Sequence, residues 1–377
     1  MKGIIKAGIC ILNVIYGILK LFPQQKKIVF LSRQSDSPSI DITMLQDKIT
    51  ELHPDYATIV LCKKLNSGIS SAIGYCFHML RQMYHLATSE IAILDSYCIA
   101  ISILHHRKSL LIIQMWHSVG TMKKFGYSIL DKPEGSSSKV AELMKMHANY
   151  DYILAGGDGY KEHLADGFRY PLNKIVTLPL PRVERLKDPE YATATREQIL
   201  SSYPQLTKKK NIVYVPTFRK VNDEAFLDAL KNLCQAVDYD KYNLVIKVHP
   251  LTDLKDFDAE KAIIDQNYSS VDMLYISDVV ISDYSCIIYE AALLDKPLYF
   301  YTYDYEDYMS SREIYMNYNE EIPGPMESSA KALLADIDAG NYDMDRLHTF
   351  LHKYVFTESP HETEDIVKFA FEHRKTS

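Results

Sequence analysis

Residues 277–308 read SDVVISDYSCIIYEAALLDKPLYFYTYDYEDY, and the alternation in this stretch decides the fold. Asp278 to Ile281 has the length of a buried strand, Cys286 to Leu294 carries a helical pattern, and Leu298 to Tyr303 is a second, aromatic-rich strand. Lys296-Pro297 separates helix from strand. Strand, turn, helix and strand in this order make a parallel β-α-β unit. The turn Ser282-Asp283-Tyr284-Ser285 sets hydroxyls and unpaired backbone N–H groups at a helix start, where negative charge is favoured. It reads either as a phosphate cradle or as a plain helix cap by Ser282 and Asp283.

Upstream, Asn211 to Val215 is a strand ending in Pro216-Thr217-Phe218-Arg219-Lys220, and Asn243 to Val248 is a strand ending in His249-Pro250. Three successive strands therefore carry Thr217 and Arg219, Lys247 and His249, and Ser282 to Ser285 to one edge of one sheet. Any one of these groups has a structural explanation; Arg, Lys, His and Ser gathered at the carboxyl edge point to an anionic ligand.

The first half of the chain repeats the cycle. Strands are expected at Ile28–Ser32, Thr58–Cys62, Ile91–Leu94, Leu110–Met115, Asp151–Leu154 and Ile175–Leu178, with helices such as Leu45–Leu52 and Ile73–Ala87 between them, the pattern of a doubly wound parallel sheet. Leu110–Met115 runs into the loop Trp116–Gly126. There His117 can take a proton, while Ser118, Lys123 and Lys124 can contact an acceptor or its phosphate. His105, His106, Arg107 and Lys108 form a basic corner, either a solvated turn or a contact for lipid phosphate. Gly156, Gly157 and Gly159 suit close backbone approach, for packing or for binding. Pro179, Pro181 and the charged run through Lys187 mark a linker at about 180–190.

A length of 377 residues exceeds one usual core, and 47% hydrophobic content supplies two. A net charge of -7 gives no overall pull toward nucleic acid. The six cysteines show neither C-x-x-C pairing nor His at metal-ligand spacing, so reduced thiols are expected. The opening MKGIIKAGICILNVIYGILKLF places Lys2, Lys6, Asn13, Gly17 and Lys20 in one helical stripe on an otherwise apolar segment. That pattern predicts an amphipathic helix lying on a membrane surface, with a helix packed on the protein and a true span as alternatives. The expected domains are 1–25 (surface helix), 26–185, 186–345, and 346–377, helices packing back across the junction.

In their order and spacing, QMWHSVGTMKKFG, YVPTFRK, KVHP and the opening stretch resemble the CDP-glycerol glycerophosphotransferase family of bacterial teichoic acid synthesis. The resemblance implies a GT-B fold, two Rossmann-like doubly wound domains facing across a cleft. It further implies a CDP-alcohol donor bound by the C-terminal domain, an undecaprenyl-diphosphate-linked saccharide acceptor, and a peripheral position on the cytoplasmic face of the cell membrane. Matched to the family's motifs, His117 and His249 are the catalytic histidines; Thr217, Arg219, Lys247, Ser282, Asp283, Ser285 and Glu290 are donor contacts; Cys286 replaces a family serine. The W-H-S-V-G-T-M-K-K-F-G loop is similar to that of the primases, which add one unit, and the length agrees with them rather than with polymerases.

The expected reaction is attack of an acceptor hydroxyl on the β-phosphorus of CDP-glycerol with CMP leaving, in wall teichoic acid or a related polymer. No cofactor and no protein-held metal are expected, since no acidic cluster has metal-site spacing. Alternatives are a CDP-ribitol enzyme or a polymerase of the same family, a nucleotide-sugar glycosyltransferase, and a non-catalytic membrane scaffold. Association into homo-oligomers is left open by the sequence.

Overall fold

The computed structural model describes residues 2–64, 69–219, 224–249, 252, 254, 257–355 and 358–375. Met1, Lys220, Pro250, Phe356 and Thr357, which carry parts of the expectations above, lie outside the described residues. The chain forms two compact units: one of Met1–Ser118, Lys124–Glu184 and Phe356–Ser377, the other of Val119–Lys123 and Arg185–Val355.

The first unit is built on β1 (Gln25–Ser32), β2 (Ala57–Cys62), β3 (Ser89–Leu94), β4 (Leu111–Gln114), β5 (Tyr152–Ala155) and β6 (Ile175–Thr177). They line up as β2-β1-β3-β4-β5-β6, and every pairing is parallel. Such a sheet is covered on both faces, so its strands read as unbroken apolar runs; β4, LIIQ, is buried at all four positions. Leu45 and Ile49 of helix α2 (Ile40–Leu52) and Ile366 and Val367 of helix Glu362–Glu372 close one face over Phe30, Ile93 and Ile113. Each such side chain contributes about 1.5–3 kcal/mol on burial. Ser39 caps α2 by accepting the Ile42 N–H.

The second unit repeats the plan with β7 (Lys210–Tyr214), β8 (Tyr242–Ile246), β9 (Ile263–Ile264), β10 (Val279–Ser282), β11 (Leu298–Tyr301) and β12 (Met326–Glu327), in the parallel order β12-β11-β10-β7-β8-β9. Each strand expected from the sequence is found; the two-residue β9 and β12 are too short to register as patterns. Of the segment 346–377, only the part from 356 belongs to the first unit. Helix Met344–Tyr354 stays with the second, where Phe350 stacks on Tyr289 with centroids 5.3 Å apart and Tyr354 meets the same ring edge-on at 5.9 Å.

Helix α1 (Lys2–Leu19) turns its polar stripe inward over its second half. Asn13 Nδ2 donates to the Ile103 carbonyl at 3.0 Å, its Oδ1 accepts the His105 N–H at 2.8 Å, and Lys20 Nζ donates to the His105 carbonyl at 2.7 Å. The Tyr16 hydroxyl lies 2.9 Å from His106 Nδ1, and Arg107 donates to the Phe22 carbonyl at 2.8 Å. Of the basic corner 105–108, residues 105–107 dock α1 and the segment after it, while His105 and Lys108 stay exposed. The opposite stripe, Ile4, Ile11, Val14, Ile18 and Leu21, remains exposed.

Candidate active site

In the first unit, β1, β3 and β4 end level with one another, since Leu31 pairs with Leu94 and Leu94 with Gln114. The chain leaves β4 through Trp116, which adopts a left-handed φ of 67°, a conformation that costs energy for a bulky residue. Its N–H donates to Gln114 Oε1 at 2.9 Å and its ring lies 4.5 Å from that of Phe125. So fixed, the turn delivers His117 Nδ1 to the Asp95 carbonyl at 3.0 Å. A carbonyl only accepts, so Nδ1 holds the proton and Nε2 presents a lone pair. Burial pushes the imidazole pKa below 6.5, against the opposing pull of the Asp95 carbonyl. His117 is thereby a neutral imidazole with its basic nitrogen unhindered by that anchor. Ser118 and Lys124 are half-buried beside it in sequence.

In the second unit, Arg219 lies beyond β7 and is 7% exposed. Its Nη2 is 2.8 Å from Asp304 Oδ2 and 3.2 Å from Asp283 Oδ2, and its Nη1 donates to the Thr217 carbonyl at 3.3 Å. The rings of Tyr308 and Tyr284 flank it at 5.0 and 5.6 Å. Burial opposes the charge on Arg219, and Asp283 and Asp304 outweigh it, so the guanidinium pKa is raised. Asp283 also accepts the Thr217 N–H at 2.7 Å, and Ser282 Oγ donates to the Val215 carbonyl at 2.8 Å. Lys247 is buried against Asp265, Nζ to Oδ2 2.7 Å. Arg219, Lys247, Ser282 and Asp283, expected from the sequence as donor contacts, thus also bond to one another or to neighbouring groups at the strand ends.

Ser285 Oγ accepts the Ile287 N–H at 3.4 Å and caps helix Ile287–Leu293, with half-buried Cys286 at the N-cap. His249 is exposed at the end of β8, its ring 4.8 Å from that of Phe218. Glu290 is buried in the helix following the turn. Lys123, expected beside His117, belongs to the second unit, where its Nζ lies 5.6 Å from the Tyr308 ring and its backbone bridges to Ile314. Burial lowers its pKa while Cys286 and Asp283 pull the other way. Thr217 Oγ1 and the hydroxyls of Tyr303 and Tyr308 are buried without a hydrogen-bond partner. Asp304, Tyr303 and Tyr308 escaped the sequence reading, although the run Y-T-Y-D-Y-E-D-Y was its signal: tyrosines that dense at a strand end can surround a cation or a base. Beside them opens a pocket of about 470 Å³, lined by Tyr303, Asp304, Tyr305, Asp307 and Glu327 among others. Among the described residues no group of three His, Cys, Asp or Glu is placed to hold a metal ion.

Comparison with known proteins gives this geometry a family. The teichoic acid ribitol-phosphate primase of Bacillus spizizenii is 30% identical over 381 residues, covering 98% of this chain and 95% of the relative. The teichoic acid glycerol-phosphate primase of the same organism is 31% identical over 282 residues, covering 74% and 72%. Among solved structures, the wall teichoic acid polymerase TagF superposes with a TM-score of 0.74 at 20% identity, over 97% of this chain and 93% of that one, which establishes the GT-B-like fold of two parallel sheets. The family model described as CDP-Glycerol:Poly(glycerophosphate) glycerophosphotransferase matches residues 15–372, and the chain belongs to this family of CDP-alcohol phosphotransferases of teichoic acid synthesis.

Proposed function

We propose that the protein transfers one alcohol phosphate from a CDP-alcohol to a hydroxyl of a lipid-linked saccharide, releasing CMP. The observation that carries this reading is His117, held by the Asp95 carbonyl with Nε2 as a lone-pair base. A hydroxyl is a weak nucleophile at neutral pH, and a neutral imidazole is the economical acceptor for its proton. The acceptor O–H gives its proton to Nε2 as its oxygen bonds to the β-phosphorus. The bond from that phosphorus to the bridging oxygen breaks, and CMP leaves with the electron pair.

In this reading the second unit holds the donor. His249, Lys123, Ser285 and the Thr217 hydroxyl face the diphosphate and meet the charge that grows there. The network of Arg219, Asp283 and Asp304 and the separate Lys247–Asp265 pair position them, and Glu290 is assigned to the nucleotide's ribose. Between the alcohols, the match with the ribitol-phosphate primase along nearly the whole of both chains favours ribitol over the glycerol suggested by the loop. Incubation with CDP-ribitol or CDP-glycerol and a short-chain lipid-linked disaccharide, followed by mass measurement, decides: one added ribitol phosphate supports the reading, and no added mass from either donor removes it.

The same proposal seats the protein on the inner leaflet through α1. Its exposed stripe, with Ile4 at 79% and Leu21 at 83%, lies opposite the residues that bond to the protein, and Lys2 and Lys6 are exposed near its start. By length and composition α1 could also cross a membrane; its hydrogen bonds to residues 103–107 favour the surface position.

A further inference from the structure

Helix α3 (Ile69–Thr88) has two faces of opposite character. Outward, Phe77, Leu80 and Tyr84 are exposed, and the Phe22 ring meets Tyr84 edge-on at 6.1 Å, which extends the apolar stripe of α1. Inward, at i, i+3 and i+7, stand Tyr75, His78 and Gln82, none more than 8% exposed. They meet the end of β1, where the Arg33 guanidinium lies 5.8 Å from the rings of both Tyr75 and Tyr97. Arg33 Nη1 donates to the Tyr97 carbonyl at 3.2 Å, and the Tyr75 and His78 rings are 5.9 Å apart.

Four polar atoms of this cluster are buried without a hydrogen-bond partner: Arg33 Nε, Tyr75 Oη, His78 Nε2 and Gln82 Nε2. Buried unsatisfied donors are rare, and one wall carrying four needs a reason. The Arg and Gln nitrogens only donate, the Tyr oxygen carries a proton, and His78 Nε2 donates in one tautomer. Four donors without an acceptor fit an oxyanion. The surrounding field agrees: after burial, Lys63 and Arg81 hold the His78 pKa down, with Asp36 as the opposing carboxylate. The residues after β3 join this cluster to the base, since Asp95 anchors His117 while Ser96 Oγ accepts the Arg33 N–H at 2.8 Å.

We propose that Arg33, Tyr75, His78, Gln82 and Tyr97 form a phosphate-binding subsite that holds the diphosphate of the lipid-linked acceptor. The assignment of the acceptor rests on the transferase reading above; the anion chemistry does not.

Calorimetric titration of the full-length protein with geranyl diphosphate and, separately, with inorganic pyrophosphate tests this. Geranyl diphosphate is expected to bind, and Arg33→Ala to weaken it at least tenfold while CMP binding changes less than twofold. Tyr75→Phe removes one hydroxyl with little change of shape and is expected to weaken binding threefold or more, which keeps the test decisive if Arg33→Ala fails to fold. Equal losses for pyrophosphate would assign the recognition to the diphosphate alone; binding of geranyl diphosphate only would assign it to the lipid form. Unchanged binding of both probes in the variant that folds overturns the subsite. If the subsite variants lose binding yet no CDP-alcohol is ever consumed, the subsite stands and the transferase reading fails. If transfer proceeds and diphosphate binding ignores both variants, the subsite alone falls.

Discussion

Replacing Arg219 by Met separates a framework role from a direct phosphate grip. Met fills similar space along the aliphatic stem, so the main loss is the charge between Asp283, fully buried, and Asp304. Removing one partner of a buried ion pair leaves the other charge uncompensated and costs about 3–5 kcal/mol. For a unit of this size each kcal/mol lowers Tm by about 2–4 °C, so a fall of about 6–20 °C is expected in a thermal scan. Pairing Arg219→Met with Asp283→Asn is expected to recover part of the loss, because the carboxylate left unpaired is then neutral. A Tm within 2 °C of the parent, accompanied by complete loss of CDP binding, would refute the framework role and return Arg219 to the diphosphate.

Other outcomes follow from single residues. A Cβ on Gly120 would stand 2.5 Å from the buried ring of Tyr289, so Gly120→Ala is expected to destabilise the second unit by about 1–3 kcal/mol in urea unfolding. His147 is buried and His106 half-buried under α1, and desolvation lowers both pKa values from 6.5 to about 4 and holds them neutral. Above pH 6.5 both states are neutral and stability is full. As pH falls from 6.5 toward 4 the unfolded chain binds protons that the folded one refuses, so each residue withdraws up to about 3 kcal/mol, checked by urea midpoints at pH 7 and pH 4.5 in parent and His147→Gln proteins. Ile11→Glu with Val14→Glu, both on the exposed stripe of α1, is expected to abolish sedimentation with anionic vesicles while leaving CDP binding intact.

Much of this architecture is legible in the residues because parallel strands buried on both faces must be apolar throughout: IVFLS, LLIIQM and NLVIKV announce themselves without an alignment. The strand-end positions of His117, Arg219, His249 and Ser282 follow from the same logic. Their partners do not. Nothing local says that Arg219 faces Asp304 or that Lys247 faces Asp265, since those pairings depend on strand order across 85 and 18 residues of separation. The reversal of α1 is of the same kind. Its stripe of Lys2, Lys6, Asn13 and Lys20 was readable, but whether that stripe meets water or protein depends on the carbonyls around residue 105. Asn13 and Lys20 found partners there, which left the apolar side outward. The cluster of Arg33, Tyr75, His78 and Gln82 was invisible because α3 reads simply as a helix with mixed apolar and basic surface.

In the proposed reaction His117 takes the acceptor proton during transfer of an alcohol phosphate. The most direct measurement is the pH profile of CMP release under kcat/KM conditions, in the parent and in His117→Ala. The parent is expected to show an acid limb with a midpoint below 6.5, following the burial that lowers the His117 pKa, and the variant to lose at least a hundredfold in rate together with that limb. A His117→Ala protein that releases CMP at the parental rate, with the acid limb unchanged, would contradict the account.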